Sequence, residues 1–280
     1  MKITNNLNLP QAIVDAVKND DYDPGTSDIT VTQLIAPPRI VALRRQFEEH
    51  LEEDAADRIW ALEGQIMHGI LERANKAELA EHRFYMNVLG WKIGGQMDTL
   101  EFNSGTLTDW KRTSSWHIKN GTPDEYIQQL NILAQLLLEN GLEVKFLRIG
   151  AVLRDWSKLE AKRDSTYPQH QIQMLDVPLW SEAKRLDFIT GRVIAHQQAA
   201  ATLPQCTDAD RWRRPAKFAV MKQNRDRAVK LCASQQEAED FIATSLDRRF
   251  LSIVERPGEY VRCASYCPVA NFCTQHKRDQ

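Results

Sequence analysis

Two aspartates and a lysine within fourteen positions, Asp98, Asp109 and Lys111, are the residues of this chain best placed to do chemistry on a charged substrate. They lie in 93–116, IGGQMDTLEFNSGTLTDWKRTSSW, which reads as two strands. The first covers 91–102, Asn103-Ser104-Gly105 make a tight turn, and the second covers 106–113. Asp98 falls on the first strand and Asp109 on the second. Lys111 follows Asp109 by two positions, so the strand period puts both side chains on one face. Two carboxylates and an ammonium converging on a sheet face cost free energy unless a cation or a phosphate sits between them. The pair D-x-K alone is common, and an Asp at a strand end or a Lys on an edge is ordinarily a turn or solvent residue.

Helices must frame these strands. A helical pattern over 54–81 has Ile59, Leu62, Ile66, Ile70 and Leu71 on its apolar side, and it carries His68 and Glu72 four apart on one face. Ahead of it come a polar segment with a short amphipathic piece at 9–17, then Pro37-Pro38, then helical spacing from Ile40. Arg44 and Arg45 lie on the polar side of that last helix, where phosphate contact and plain solvation are both open. After the strands, Thr122-Pro123-Asp124-Glu125 predicts a helix start with a Thr cap and a capping-box Glu. That helix carries Gln129 and ends at Gly141. Residues 142–153 alternate as a strand, and 177–200 read as a long helix.

The length of 280 residues and 42% hydrophobic content fit one large domain or a domain with an appendage. The net charge of −2 gives no global attraction to nucleic acid, so any such binding needs local patches. The first residues lack the apolar core of a signal peptide, and no run is long enough to span a bilayer. The expectation is a soluble, cytoplasmic protein without a membrane partner. Five cysteines in such a chain point to metal, chemistry or burial rather than a disulfide framework.

Composition changes near residue 200. Between 205 and 230 stand eight Lys/Arg (Arg211, Arg213, Arg214, Lys217, Lys222, Arg225, Arg227, Lys230) against three Asp, a local net of +5. Trp212 and Phe218 interleave with them, a mix of cation and flat ring suited to a nucleic-acid strand, although a solvated face has the same charge pattern. Cys263, Cys267 and Cys273 follow in a C-x3-C-x5-C run beside Pro268. Thiolates clustered in this way select zinc or an iron–sulfur cluster, and either needs a fourth ligand. Cys206, in a polar turn-like setting, is the expected fourth. Cys232 alternates with Val229 and Leu231 as a small core residue, and His276 is the replacement a zinc site could use.

Taken together, the carboxylate strand, the Gly-bearing hairpin, D-W-K and the upstream helical His resemble the PD-(D/E)xK nuclease superfamily. The similarity is to its branch of RecB-type, lambda-exonuclease-type and phage or CRISPR-adaptation iron–sulfur nucleases, and it extends over nearly the whole chain. The resemblance implies an α+β fold: a restriction-endonuclease-like core with a central mixed sheet flanked by helices over 1–200. A basic Cys-cluster region over 201–280 would pack with that core as one unit. It also implies an Mg2+- or Mn2+-dependent DNA exonuclease in phage recombination, replication or repair, leaving a 5′-phosphate and a 3′-hydroxyl. A structure-specific endonuclease and a non-catalytic iron–sulfur DNA-binding module are the alternatives. By the same resemblance His68, within G-x-x-x-H-x-x-x-E (Gly64, His68, Glu72), is a metal ligand or metal-positioning base, with Glu72 orienting it. Asp98, Asp109 and the Trp110 carbonyl complete the metal sites, and Lys111 orients or deprotonates the water. Gln129 takes the Gln position of a Q-x-x-x-Y motif, where Leu133 replaces the Tyr, and a solvated glutamine is the other reading. Arg112, Trp116, Arg211, Trp212, Arg213 and Arg214 become DNA contacts, with a recombination or replication protein as a further partner. Cys206, Cys263, Cys267 and Cys273 become ligands of a structural [4Fe–4S] cluster, with zinc the alternative. The run here is one residue longer than the common C-x2-C-x5-C, and the distant cysteine lies after the His rather than before it.

Overall fold

The computed structural model describes residues 1–19, 25–74 and 79–279, the side chain of Glu72 excepted. The chain forms two compact units, Met1–Leu203 and Pro204–Gln280. The first opens with β1 (Lys2–Thr4), α1 (Gln11–Lys18), β2 (Ile29–Thr30), α2 (Val31–Ile35) and α3 (Pro38–Gln46). Next come β3 (Glu52–Asp54), α4 (Ile59–Ala74), β4 (Leu79–Ala80), β5 (Arg83–Val88), β6 (Trp91–Gln96), β7 (Thr99–Glu101) and β8 (Thr106–Thr113). The unit closes with α5 (Ser115–Lys119), α6 (Asp124–Glu139), β9 (Phe146–Leu153), α7 (Lys158–Arg163), β10 (Ile172–Val177) and α8 (Glu182–Ala201). This is a mixed α+β architecture. One sheet runs β10-β9-β8-β7-β4 with β8 and β9 parallel, and another runs β2-β6-β5 with β2 and β6 parallel.

The centre of the unit is α6. Every residue from Leu130 to Leu137 on it is buried, the signature of a helix covered on all sides rather than an amphipathic one. It packs on β6, β8 and β9 and is overlaid by α2 and α8, so Leu130, Leu133 and Leu137 share a core with Leu107, Leu147, Ile149, Ile189 and Val193. The approach of α6 to β6 is close enough that a Cβ on Gly95 would stand 2.7 Å from a Leu133 methyl. Asn131 is fully buried, and its amide donates to the Ile127 and Pro178 carbonyls and accepts from the Trp180 N–H. Leu133→Ala is expected to destabilise the fold by ~2–5 kcal/mol, since little can collapse into the gap beside a glycine. Denaturant titration of the variant checks this.

Several boundaries move from the sequence reading. The strand expected over 91–102 is two strands in two sheets: β6 pairs with β5 and β2, while β7 pairs with β8. The chain bends between them because the Met97 N–H donates to the His82 carbonyl and the Glu81 N–H to that of Asp98. The helix expected to reach 81 gives way to β4, held by pairing with β7. The helix expected from 177 starts at Glu182, capped by Ser181, because Val177 ends β10. Pro123, not Thr122, takes the cap position of α6, with no side-chain cap. The apolar stripe expected on α4 is only partly used: Leu62 packs against Val14, Val17 and Ala55, whereas Ile66 and Ile70 are exposed.

The second unit contains β11 (Arg213–Arg214), β12 (Lys217–Lys222), β13 (Lys230–Cys232), α9 (Gln235–Thr244), β14 (Leu251–Arg256), β15 (Glu259–Tyr260) and α10 (Thr274–Arg278). Strands β13, β12 and β14 form an antiparallel sheet, and α9 covers it through Val220, Cys232 and Ala238. Cys232 is fully buried there, as expected of a small core residue, but Val229 and Leu231 are exposed, so the alternation with them does not account for its burial.

Candidate functional site

The bend after β6 does the positioning. It frees Asp98 from either ladder and aims its carboxylate at the stretch of β8 just beyond its β7 pairing, where Oδ2 accepts from the Trp110 N–H at 2.6 Å. His68 on α4 faces the same point, with Nδ1 3.6 Å from Asp98 Oδ1 and 3.2 Å from Glu81 Oε1. Glu81 is fixed in turn by Gln96, whose amide donates to Oε2 at 2.6 Å while accepting from Arg83 at 3.0 Å. Ligand atoms of His68, Glu81 and Asp98 all lie within 4.8 Å of one another, close enough to share one ion.

Asp109 and Lys111 share a face of β8, as the strand period requires. Asp109 is 1% exposed, and Lys111 Nζ lies 2.7 Å from its Oδ2. Lys111 is the one partner of this carboxylate: its oxygens are buried and receive no other hydrogen bond among the described residues. A buried carboxylate with a single cationic partner leaves hydrogen bonds unmade, each worth on the order of 1–3 kcal/mol. The Glu81 and Asp98 carboxylates beside the His68 imidazole are the ligands a hard divalent cation takes, and Asp109 lies outside that group and outside the lining of its cavity. The residues present therefore fit such an ion. His68, Glu81, Asp98, Lys111 and Gln129 are among the residues lining one open cavity of ≈ 1050 Å3. Lys111 also lies 5.5 Å from the Tyr126 ring centroid.

The electrostatics follow from this packing. Burial, then the Asp109 charge, pushes Asp98 up to about 7. The Glu81 hydrogen bond raises His68 against its own burial. Burial works to lower Lys111, but Asp109 and Asp98 outweigh it and the net direction is upward, so the ammonium stays charged. The sign for folding is clear. Asp98 contributes stability to the metal-free fold that is full below pH ~4 and is lost as pH rises through about 7. A divalent cation must displace that proton. Its affinity is therefore expected to rise with pH, by about tenfold per unit for each proton displaced, up to pH ~7, and then to level. Calorimetric Mn2+ titration at several pH values, in buffers of different ionisation enthalpy, checks both slope and proton release.

Trp110 engages the site through its N–H, and its ring covers Gly150, where a Cβ would come within 2.4 Å of it. The other expected contacts divide. Arg112 is the neighbour of Lys111 on β8, so it falls on the opposite face, where it pairs with Glu63 at 2.6 Å. Trp116 is exposed, edge-on to His117. Glu72, expected to orient His68, lies outside the described side chains; Glu81 lies 3.2 Å from His68 Nδ1. Sequence reasoning misses Glu81 and Gln96. Glu81 falls at the end of the helical pattern over 54–81, although Gln96, two positions before Asp98, carries a strand-period signal.

In the second unit Gln275 joins Cys206 to the C-terminal helix. Its side-chain oxygen accepts from the Cys206 N–H at 2.8 Å and its amide donates to the Cys206 carbonyl at 2.9 Å. Cys273 is the cap of that helix, and Cys263 lies in a π-helical turn, Arg262–Tyr266, that Cys267 caps. Burial pushes the Cys267 thiol up, the Val269 N–H opposes this, and the Cys263 and Cys273 thiols push the same way as burial. Arg211, 5% exposed, directs Nε at the Cys263 sulfur at 3.5 Å and pairs with Asp279. Arg211 therefore serves the cysteines rather than solvent. Arg213 pairs with Asp208 at 2.6 Å and Arg214 with Glu259 at 3.0 Å, surface ion pairs in which every side chain stays more than half exposed. Lys222 and Lys230 pair with Asp247 and Glu237.

No protein-family model matches the chain, and no curated protein matches it. Among solved structures, the crystal structure of SSO0001 aligns with a TM-score of 0.46 at 18% identity, covering 65% of this chain and 83% of that one. This likeness is too loose to bear on fold family or function. No helix among the described residues is long and apolar enough to cross a membrane.

Proposed function

We propose that this chain is a metal-dependent deoxyribonuclease that hydrolyses phosphodiester bonds as an exonuclease, with a PD-(D/E)xK site on a restriction-endonuclease-like core. One observation carries the reading: His68, Glu81 and Asp98 hold ligand atoms within 4.8 Å of one another, next to a buried Asp109–Lys111 ion pair. The order α4, β7–β8 hairpin, α6 and parallel β9 supports the fold assignment. His68, Asp98 and Asp109 would hold Mg2+ or Mn2+, with Glu81 either joining them or orienting His68. Such an ion supplies Lewis acidity, polarising phosphoryl oxygens and acidifying water. Lys111, kept protonated by its two aspartates, stabilises negative charge developing on the phosphoryl group. Gln129 offers its amide to substrate across the cavity.

Cys206, Cys263, Cys267 and Cys273 would hold a [4Fe–4S] cluster of structural role, zinc being the other group this donor set accepts. The setting proposed is phage recombination, replication or repair in the host cytoplasm. Digestion of 5′- and 3′-end-labelled linear DNA beside a closed circle tests the exonuclease assignment. Release from linear DNA alone is expected, and nicking of the circle would replace it with an endonuclease.

A further inference from the structure

With Arg211, Arg213 and Arg214 occupied by protein partners, the aromatic and cationic surface of the second unit gathers elsewhere. Trp212 is 42% exposed and Tyr266 65% exposed, with ring centroids 5.5 Å apart and planes inclined at 57°. The Arg262 guanidinium lies 4.8 Å from the Trp212 centroid, and its Nη1 donates to the Asp210 carbonyl at 3.2 Å. No carboxylate ion pair to Arg262 is found among the described residues. Trp212 also holds φ at +53°, a left-handed conformation that a bulky residue adopts only when its surroundings impose it. The surroundings are visible: Trp212 N–H and Arg213 N–H turn back onto the carbonyls of Ala209 and Asp208, and the Arg262 N–H fixes the Arg211 carbonyl. Backbone strain is thus spent on presenting an indole to solvent, next to a cation and a phenol from the turn that carries Cys263.

We propose that Trp212, Tyr266 and Arg262 form a stacking platform for an unpaired nucleobase, so that the second unit binds single-stranded DNA by ring stacking with Arg262 on the adjacent phosphate. Flat rings accept any base, and a cation beside them suits the backbone charge. A base paired within a duplex keeps its faces covered, so the platform selects single strands or frayed ends. The choice of DNA rests on the nuclease reading above, while the platform itself is tested without cleavage.

The experiment is anisotropy of a labelled oligodeoxythymidine in the Asp109→Asn background, without added divalent ion. Tyr266→Leu, which keeps apolar bulk and removes the ring, is expected to weaken binding about tenfold to a hundredfold. Tyr266→Phe is expected to bind as its parent does. Arg262→Gln is expected to lower the salt slope by about one. Should Tyr266→Leu fold poorly, tryptophan emission decides: DNA quenches the parent, and the quench is lost in Trp212→Tyr although binding persists. Unchanged affinity in Tyr266→Leu, equal losses on blunt duplex and single strand, or a quench that survives Trp212→Tyr would each overturn the platform. None of these results bears on whether the wild type cleaves.

Discussion

Asp109→Asn is expected to lower DNA cleavage by more than about 10³-fold while leaving the metal-free protein nearly as stable as its parent. The activity loss follows from the value of the ion that Asp109 would hold. Lewis-acid stabilisation is worth several kcal/mol, and every ~1.4 kcal/mol is a factor of ten in rate. The retained stability follows from what Asp109 lacks. Its buried carboxylate has Lys111 as its one partner among the described residues, and its charge is part of what pushes Asp98 up to about 7. An amide of the same shape removes that repulsion and still offers Lys111 an oxygen. The melting temperature without added metal is therefore expected to stay within about 4 °C of the parent, the shift that ~1 kcal/mol produces in a domain of this size. A large fall in stability would mean that Asp109 is a structural partner of Lys111, with no ligand role.

Cys206→Ser is expected to empty the cysteine site, whereas Cys232→Ser is expected to leave its metal content intact. The Gln275 amide clamps both backbone groups of Cys206 beside the helix that Cys273 caps, so this cysteine is held in place before any ligand arrives. Cys232 sits in the core with Val220 and Ala238, and a serine there buries a hydroxyl at a cost of about 1–3 kcal/mol without touching the site. Anaerobically purified wild type should be brown with about four iron per chain, and Cys206→Ser should be pale. A colourless protein with one zinc would replace the cluster with a zinc site, and a fully loaded Cys206→Ser would remove Cys206 from the ligand set.

Sequence alone locates the chemistry where spacing is rigid. The face shared by Asp109 and Lys111 follows from the strand period. The helix carrying Gln129 is legible from its start signals at 122–125, although Pro123 rather than Thr122 takes the cap. What sequence misses depends on breaks in periodicity and on partners distant in the chain. The strand through Asp98 reads as continuous, yet the chain bends there under hydrogen bonds from Met97 and Glu81. That bend is what brings Glu81 and Gln96 into the site. The basic interval shows its charge but not all of its neutralisation: Asp208 lies within it, whereas Glu259 and Asp279, which pair with Arg214 and Arg211, lie 45 and 68 positions away. Composition therefore points at Arg213 and Arg214, whereas the cation beside exposed rings is Arg262.

The most direct measurement is the release of label from a linear DNA by wild type and Asp109→Asn, each with Mg2+, with Mn2+ and with EDTA. The account predicts release by wild type with either ion, none with EDTA and none by the variant under any condition. Cleavage that persists in EDTA or in Asp109→Asn would contradict a metal-dependent site on β8.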